Sequence, residues 1–212
     1  FEGCASGGMR MDYKTLSRFS LCSTSDQIHC YKYPYIVGNI FSAVVPEQAA
    51  VWSYPVSTFA IESSAEIDKE WVEQNITDDR VALNMINSLL GRMHLAGHLE
   101  LLSDKQYELV KEGVKVYKEL APFKKSALPF LPLGFTSFGK KTVAVGLKNK
   151  DTAYLAVYDL CGDNTKTIPV NGYKDVATVY PHGADVEIKI SDGELFVKFA
   201  RKNQAVFLRL TQ

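Results

Sequence analysis

The spacing of hydrophobic and polar residues changes near residue 134. Upstream of that point, amphipathic helical stretches alternate with short apolar runs, whereas downstream short β-branched runs alternate between apolar and polar positions. The segment SALPFLPLGF separates the two regions, because Pro129 and Pro132 cannot continue a helix and favour an extended connector. We therefore predict two domains, residues 1–133 and residues 134–212.

The upstream region contains two clear helical patterns. Ser103 stands at an N-cap position, and Gln106 three residues later completes a capping box. The apolar stripe of this helix is predicted to consist of Tyr107, Val110, Val114 and Tyr117. A second helix is predicted over residues 79–90, with acidic residues in its first turn and apolar residues at core spacing.

Short apolar runs separate these helices. The segment LGRMHLAGHL contains two glycines and suits either a buried strand or a continued helix. Together with the apolar runs at residues 36–45 and 49–54, it makes the upstream region a series of strand–helix units. Such alternation implies a parallel sheet.

The downstream region is predicted to be all β. Its apolar and polar residues alternate in seven short runs: TVAVGL, TAYLAVYDL, KTIPV, VATVY, DVEIKI, ELFVKFA and AVFLRL. The sequence Ser191-Asp192-Gly193 is the best hairpin signal, because a Gly after Asp readily adopts positive φ. Alternation of this kind puts one face inward and one in water, which is typical of an antiparallel β-sandwich.

The composition limits the possible partners. Hydrophobic residues make up 46% of the chain, enough for a buried core, and 24 basic and 24 acidic side chains cancel. A balanced charge favours neither nucleic acid nor an anionic membrane, and no run of 18 apolar residues exists to span a bilayer. Irregular spacing favours reduced thiols and a cytoplasmic setting for the four cysteines, which are Cys4, Cys22, Cys30 and Cys161.

Candidate chemistry is concentrated in the first 26 residues. Asp26, in a run of Ser and Thr, is either a helix or turn former or a general acid/base. Cys4 is by default a small buried hydrophobe, since no histidine lies within 24 residues to make it a nucleophile, and Gly7 permits close approach of the backbone to a ligand. Because such a segment lies directly at Phe1, which is not a start methionine, we expect the chain to be a piece of a longer protein.

Other conspicuous residues have two interpretations each. Trp52 and Tyr54 either stack on a sugar ring or pack in the core or at the rim. His94 and His98, four residues apart, would share a helical face as metal ligands do, but they lack a third ligand. The C-x6-H-C segment at residues 22–30 does not match an established zinc spacing, so we expect core packing there.

Five segments resemble one enzyme family in order and spacing. They read C-A-S-G-G-M-R-M-D, S-T-S-D-Q, P-E-Q-A-A-V-W-S-Y-P, L-L-G-R-M-H-L-A-G-H-L and P-F-L-P-L-G-F. In this order they resemble the C-terminal half of the α-galactosidases (melibiases) of glycoside hydrolase family 36. The resemblance covers residues 1–135. The remaining β region agrees with the family only in its position along the chain and in its pattern of short, alternating apolar and polar runs.

The resemblance implies the C-terminal part of a (β/α)8 TIM barrel followed by an antiparallel β-sandwich domain. It assigns Asp26 as the catalytic acid/base, and Cys4 and Gly7 as substrate-binding residues of the −1 subsite. The family's nucleophilic Asp, at the end of a strand with Lys-Trp-Asp or Lys-Tyr-Asp, has no match in this chain. Many members have Gly at the position of Met9, and many have Trp before the T-S-D segment, where this chain has Cys22-Ser23. These differences leave the exact sugar preference open.

The activity implied by the resemblance is retaining hydrolysis of terminal α-D-galactosides, such as melibiose or raffinose-type oligosaccharides. It implies no cofactor and no metal, and the full-length parent could form a homo-oligomer. Because the nucleophile is missing, the chain alone is expected to be an incomplete and inactive fragment. The alternative, from another class, is a non-catalytic carbohydrate-binding or scaffold module derived from such a barrel.

Overall fold

The computed structural model describes residues 1–4, 6–57, 67–160 and 162–212. The prediction of a reduced thiol at Cys161 therefore lies outside the described residues.

Short parallel strands and helices alternate in the upstream part of the chain. These elements are β1 (Glu2–Gly3), α1 (Tyr13–Leu16), β2 (Leu21–Ser23), α2 (Tyr33–Ile40), β3 (Ala49–Ser53), α3 (Lys69–Asn75), α4 (Asp78–Leu89), β4 (Arg92–Leu95), a 3-10 turn (Leu99–Leu101), α5 (Asp104–Glu119) and α6 (Ala121–Lys124). The strands lie in the order β1-β2-β3-β4, each parallel to its neighbour. The predicted parallel sheet is thus confirmed, and the ambiguous segment LGRMHLAGHL supplies strand β4.

Helix α5 begins as predicted but turns a different face inward. The Ser103 hydroxyl accepts a hydrogen bond from the Gln106 N–H, and the Gln106 side chain accepts one from the Ser103 N–H, which completes the capping box. The Gln106 amide also donates to the Ile76 carbonyl at 2.8 Å and is buried. Because Gln106 occupies the inner face, Tyr107 is exposed, and the predicted stripe was wrong at that position.

Helix α4 is the central helix of the upstream part. The Thr77 hydroxyl caps it by accepting from the Arg80 N–H, and residues 81–89 are all buried. Strand β3 packs on one side of it, while helix α5 and the downstream sheet pack on others, so its polar side chains are buried too. Within the described ranges, none of the helices is long and apolar enough to cross a membrane.

The downstream part forms two antiparallel sheets. Its strands are β5 (Leu128–Phe130), β6 (Thr142–Lys148), β7 (Thr152–Asp159), β8 (Thr165–Pro169), β9 (Asp175–Tyr180), β10 (Val186–Ser191), β11 (Glu194–Phe199) and β12 (Ala205–Thr211). One sheet has the order β5-β6-β7-β12-β9 and the other β10-β11-β8, and apolar residues from both meet in one buried cluster. All seven predicted runs are strands, and the Pro-rich segment adds β5 beside β6. Asp192 and Gly193, both at positive φ, close the β10–β11 hairpin as predicted.

One hydrophobic core joins the two parts. It contains Val37 of α2 and Leu83 of α4 together with downstream residues such as Val143 and Phe207. Helix α2 also approaches the downstream sheet closely, since a Cβ on Gly38 would lie 3.1 Å from the Val143 side chain. The predicted division at residue 134 therefore runs through a shared core and stays a prediction.

Candidate functional site

The sequence-predicted site residues follow two neighbouring parallel strands. Strands β1 and β2 pair in register from Glu2 with Leu21, so Cys4 and Asp26 both lie just beyond carboxyl ends at the same edge of the sheet. Both residues are exposed, and Cys4 is a free thiol. Asp26 does not cap a helix, because α2 begins at Tyr33. Loops at the carboxyl ends of parallel strands are where α/β proteins place their ligand sites.

Gly7 packs directly on the backbone beside Asp26. It has a φ of +67°, and a Cβ added there would lie 2.6 Å from the Asp26 backbone nitrogen and 2.8 Å from the Ser25 Cα. Gly8 is equally close to the Thr24 carbonyl oxygen. Only glycine fits both the left-handed conformation and the gap. The loop after β1 and the loop after β2 therefore form one continuous backbone surface that carries Cys4, Gly7 and Asp26.

Buried side chains fix the start of the Asp26 loop. The Thr24 hydroxyl donates to the Ala50 carbonyl of β3 at 2.6 Å, and the Trp52 N–H donates to the Tyr33 hydroxyl at 3.0 Å. Burial raises the pKa of Tyr33 to about 12, and the nearby carboxylate of Asp26 adds to this increase. Tyr33 therefore keeps its proton at neutral pH. These bonds tie α2 and the β2 end to β3, so the loop bearing Asp26 has a fixed origin.

An aromatic stack lies on the sheet face that points away from the helices. The Ser53 hydroxyl donates to the Asn84 carbonyl of α4 at 3.0 Å, which shows that Ser53 faces the helices. Because side chains alternate along a strand, Trp52 faces the other way. It meets its register partner His94 edge-on at 4.8 Å, and Tyr54 stacks on it at 5.3 Å with only 16° between the ring planes.

This aromatic stack was only half visible in the sequence. Trp52 and Tyr54 were candidates for stacking, but His94 was considered with His98 as a pair on a helix. In the structure His94 lies in β4, and His98 instead hydrogen-bonds Glu100 at 2.8 Å. The strand register that brings His94 to Trp52 depends on long-range pairing, so no local signal could have found it.

Cys22 and Cys30 are both buried. Burial raises the pKa of Cys30 to about 11, and burial followed by the charge of Glu2 raises the pKa of Cys22. Both shifts come mainly from desolvation of the thiols, which accords with the core packing expected for this segment. Among the residues that the structure describes, no group of three or more His, Cys, Asp or Glu side chains is placed to hold a metal ion.

Comparisons with known proteins give a match at the level of structure alone. Neither a protein-family model nor a curated protein matches the sequence. The GH36 α-galactosidase AgaA from Geobacillus stearothermophilus, in a variant bound to 1-deoxygalactonojirimycin, superposes with a TM-score of 0.70 and 14% identity over 100% of this chain and 28% of its own. The α-galactosidase from Lactobacillus brevis gives 0.64 and 15% over the same shares. Amy13B from Eubacterium rectale gives 0.58 and 8%, with 52% of its chain covered.

These similarities establish the fold of the chain. All of it superposes on a part of the GH36 α-galactosidases, so the resemblance seen in the five sequence segments is confirmed for the fold. The chain spans about 28% of the length of these enzymes. The expected mixture of an α/β part with antiparallel sheets is likewise confirmed.

Proposed function

We propose that this chain is the carboxyl-terminal part of a retaining α-galactosidase that hydrolyses terminal α-D-galactosides, such as melibiose or raffinose-type oligosaccharides. The observation that carries the proposal is the contact of Gly7 with the Asp26 backbone, which unites the sequence-predicted site residues at one sheet edge. The fold likeness to GH36 α-galactosidases, one of them bound to raffinose, supports it.

The upstream part, residues 1–133, is proposed to be half of a (β/α)8 barrel, and residues 134–212 the β domain after it. Four parallel strands in chain order, each followed by helical structure, are the repeating unit of such a barrel. In barrels of this type the active site collects at the carboxyl ends of the strands. Asp26 and Cys4 both lie at such ends.

In the proposed mechanism Asp26 acts twice. As an acid it protonates the glycosidic oxygen while an Asp from the missing half of the barrel attacks the anomeric carbon. As a base it then takes a proton from water, which releases galactose from the covalent intermediate. A retaining enzyme needs these two carboxyl groups about 5–5.5 Å apart.

Cys4 and Gly7 are proposed to form the wall of the −1 subsite. The exposed Cys4 thiol would contact galactose hydroxyls, and Gly7 would let the backbone approach the sugar because no side chain intervenes. This assigns binding, not nucleophilic chemistry, to the thiol. The mechanism requires no metal or cofactor.

The test uses the intact parent enzyme with Asp26→Ala. Turnover of melibiose, whose leaving group needs protonation, should fall by about 10²–10⁴, whereas cleavage of an activated aryl α-galactoside should lose far less in its first step. Glu100→Gln is the control, since Glu100 is an exposed carboxylate bound to His98 after β4, and it should leave both rates unchanged. Equal losses of both substrates in Asp26→Ala would give Asp26 a structural role.

A second candidate is a non-catalytic carbohydrate-binding or scaffold module on the same fold. This candidate is kept because the chain covers only 28% of the length of the GH36 α-galactosidases and one architecture hosts different functions. The coding sequence upstream of Phe1 discriminates between the two. A strand ending in Lys-Trp-Asp or Lys-Tyr-Asp would supply the nucleophile, and its absence would favour the module.

A further inference from the structure

Strand β2 stops while its neighbour β3 continues. The Cys22 N–H donates to the Gln48 carbonyl at 2.7 Å as part of the pairing between these two strands. Because a parallel ladder repeats every two residues, the regular continuation would run from the Trp52 N–H to the Thr24 carbonyl. Strand β2 instead ends at Ser23, whereas β3 runs on beside β4. The Trp52 N–H on the β2 side therefore needs another acceptor.

The hydroxyl of Tyr33 supplies that acceptor. Tyr33 is the first residue of α2, is only 2% exposed, and accepts the Trp52 N–H at 3.0 Å. The Thr24 carbonyl lies against the loop after β1, since a Cβ added to Gly8 would be 2.5 Å from its oxygen. A side-chain hydroxyl thus stands where the main chain of β2 would otherwise bond, and the carbonyl that it replaces faces the neighbouring loop.

This exchange of acceptors controls the direction of the chain toward Asp26. The Thr24 hydroxyl donates to the Ala50 carbonyl at 2.6 Å, which holds residue 24 beside β3. Two residues later the backbone packs on Gly7, where an added Cβ would be 2.6 Å from the Asp26 nitrogen. If the Thr24 carbonyl accepted the Trp52 N–H, β2 would gain a residue. The peptide after Thr24 would then turn toward β3 and draw Asp26 away from Gly7.

We propose that Tyr33 is a positioning residue for Asp26: its hydroxyl takes the last β2 position in the ladder with β3 and so keeps the Asp26 loop turned toward Gly7. This inference rests on the proposed function for the role of Asp26 as acid/base. Displacement of a catalytic group by about 1 Å can reduce a rate on the order of 100-fold. A buried hydroxyl can therefore control turnover through the loop alone.

Tyr33→Phe in the intact parent enzyme tests the proposal, because it removes the acceptor and keeps the ring that packs in the core. The kcat for melibiose should fall about ten- to hundredfold, with KM changed by less than about twofold. The kcat/KM of an activated aryl α-galactoside should fall less, since its leaving group does not need protonation.

Tyr180→Phe is the matched control. It also removes a buried tyrosine hydroxyl bonded to the main chain, in this case by donation to the Leu109 carbonyl at 3.1 Å, but it lies in β9 of the downstream sheet. Thermal denaturation should show that both variants lose stability to a similar degree. Only Tyr33→Phe should lose turnover. If the two variants lowered the melibiose kcat equally, Tyr33 would have a structural role alone and the proposal would be wrong.

Amide NMR of the 212-residue chain gives a second measurement that does not depend on activity. Tyr33→Phe should shift the resonances of Gly7, Gly8 and Asp26 as well as that of Trp52, whereas Tyr180→Phe should leave all four in place. Shifts confined to Trp52 and α2 would overturn the proposal even if Asp26→Ala supported the proposed function. Equal losses of both substrates in Asp26→Ala would refute the proposed function without changing these resonances, so the two failures are distinguishable.

Discussion

At the scale of single residues, the candidate site depends on how tightly two loops fit together. Gly7 has no room for a side chain beside Asp26, and Thr24 is anchored to β3 by a buried hydrogen bond. The position of Asp26 is therefore set by its neighbours, although its own side chain is exposed.

We expect Gly7→Ala to disturb the site more than the fold. The methyl group would meet the Asp26 nitrogen at 2.6 Å, and the φ of +67° alone costs a non-glycine residue about 1–2 kcal/mol. Expressed as a free energy, the loss of activity of the proposed intact enzyme should equal or exceed the loss of unfolding free energy that urea denaturation measures. Gly172→Ala is the control, because it shares positive φ but has nothing within 4 Å. If both variants retained full activity, the loop contact would have no part in catalysis.

Lys124 should make stability depend on alkaline pH. Its amine is buried and donates to the Leu89 and Gly91 carbonyls at 3.2 and 2.9 Å, and burial lowers its pKa to about 8. Below pH 8 the folded chain bears the full cost of the buried charge. Between pH 8 and 10.5 the folded amine is neutral while the unfolded one is still charged, so stability rises with pH by up to about 3 kcal/mol.

The matched variant is Lys124→Met, which removes the titration but keeps most of the volume. Because the two proteins share every other titratable group, the difference between their free energies of unfolding reports on Lys124. Urea titrations from pH 7 to 10.5 measure this difference. A difference that stays constant over that range would contradict the lowered pKa.

The residues of the candidate site were only partly predictable. Cys4, Gly7 and Asp26 belong to short motifs, so the sequence named them, whereas their catalytic and binding roles stay predictions. Tyr33 and His94 were missed in their present roles because each acts on Trp52 across strands or helices. Contacts of that kind depend on register, which a local pattern does not contain.

At the scale of secondary-structure elements, local signals were strongest where a side chain itself makes the bond. The capping box of α5 and the Asp192-Gly193 turn are both present as predicted. The inner face of α5 was not predictable from apolarity, because buried Gln106 satisfies its amide on the Ile76 carbonyl. Strand β4 was ambiguous for a different reason, since a short apolar run suits either structure until a neighbouring strand is known.

Removal of the α5 cap should lower stability measurably. Ser103→Ala removes the oxygen that accepts the Gln106 N–H and should cost about 1 kcal/mol of unfolding free energy. Ser103→Asp retains a capping oxygen and should keep near wild-type stability. Thermal denaturation of the three proteins measures this order. If Ala and Asp were equal, the cap would contribute nothing in this context.

At the scale of the whole molecule, the two sequence patterns do not correspond to two separate cores, because the downstream sheets enclose a cluster of their own but the core of the upstream part extends into them. The sequence shows the change from a parallel to an antiparallel pattern, but not the packing of α2 and α4 against β6 and β12. Asn39 and Thr136 further exchange two hydrogen bonds of 2.9 Å across the junction. Interfaces of this kind are invisible to periodicity because each side looks like an ordinary buried face.

Residues 1–133 should therefore not fold alone. Without the downstream sheet, α2 and α4 would lose buried partners such as Val143 and Phe207, and the parallel sheet would keep open edges. Circular dichroism and light scattering of this segment should show no cooperative unfolding and a tendency to associate, in contrast to the 212-residue chain. A monodisperse, cooperatively unfolding segment would show that the parallel part is self-sufficient.

The close approach at Gly38 makes helix α2 a mechanical link. Near its carboxyl end, at Gly38, α2 lies close to the side chains of Thr136 and of Val143 in β6, and at its amino end the Tyr33 hydroxyl accepts a hydrogen bond from the Trp52 N–H. Because α2 spans only about two turns, a displacement of the antiparallel sheet at Gly38 would reach the backbone of Trp52 through Tyr33. Substitutions where α2 packs on β6 are therefore expected to move Tyr33 and, through it, the backbone of Trp52, although they lie in a different sheet.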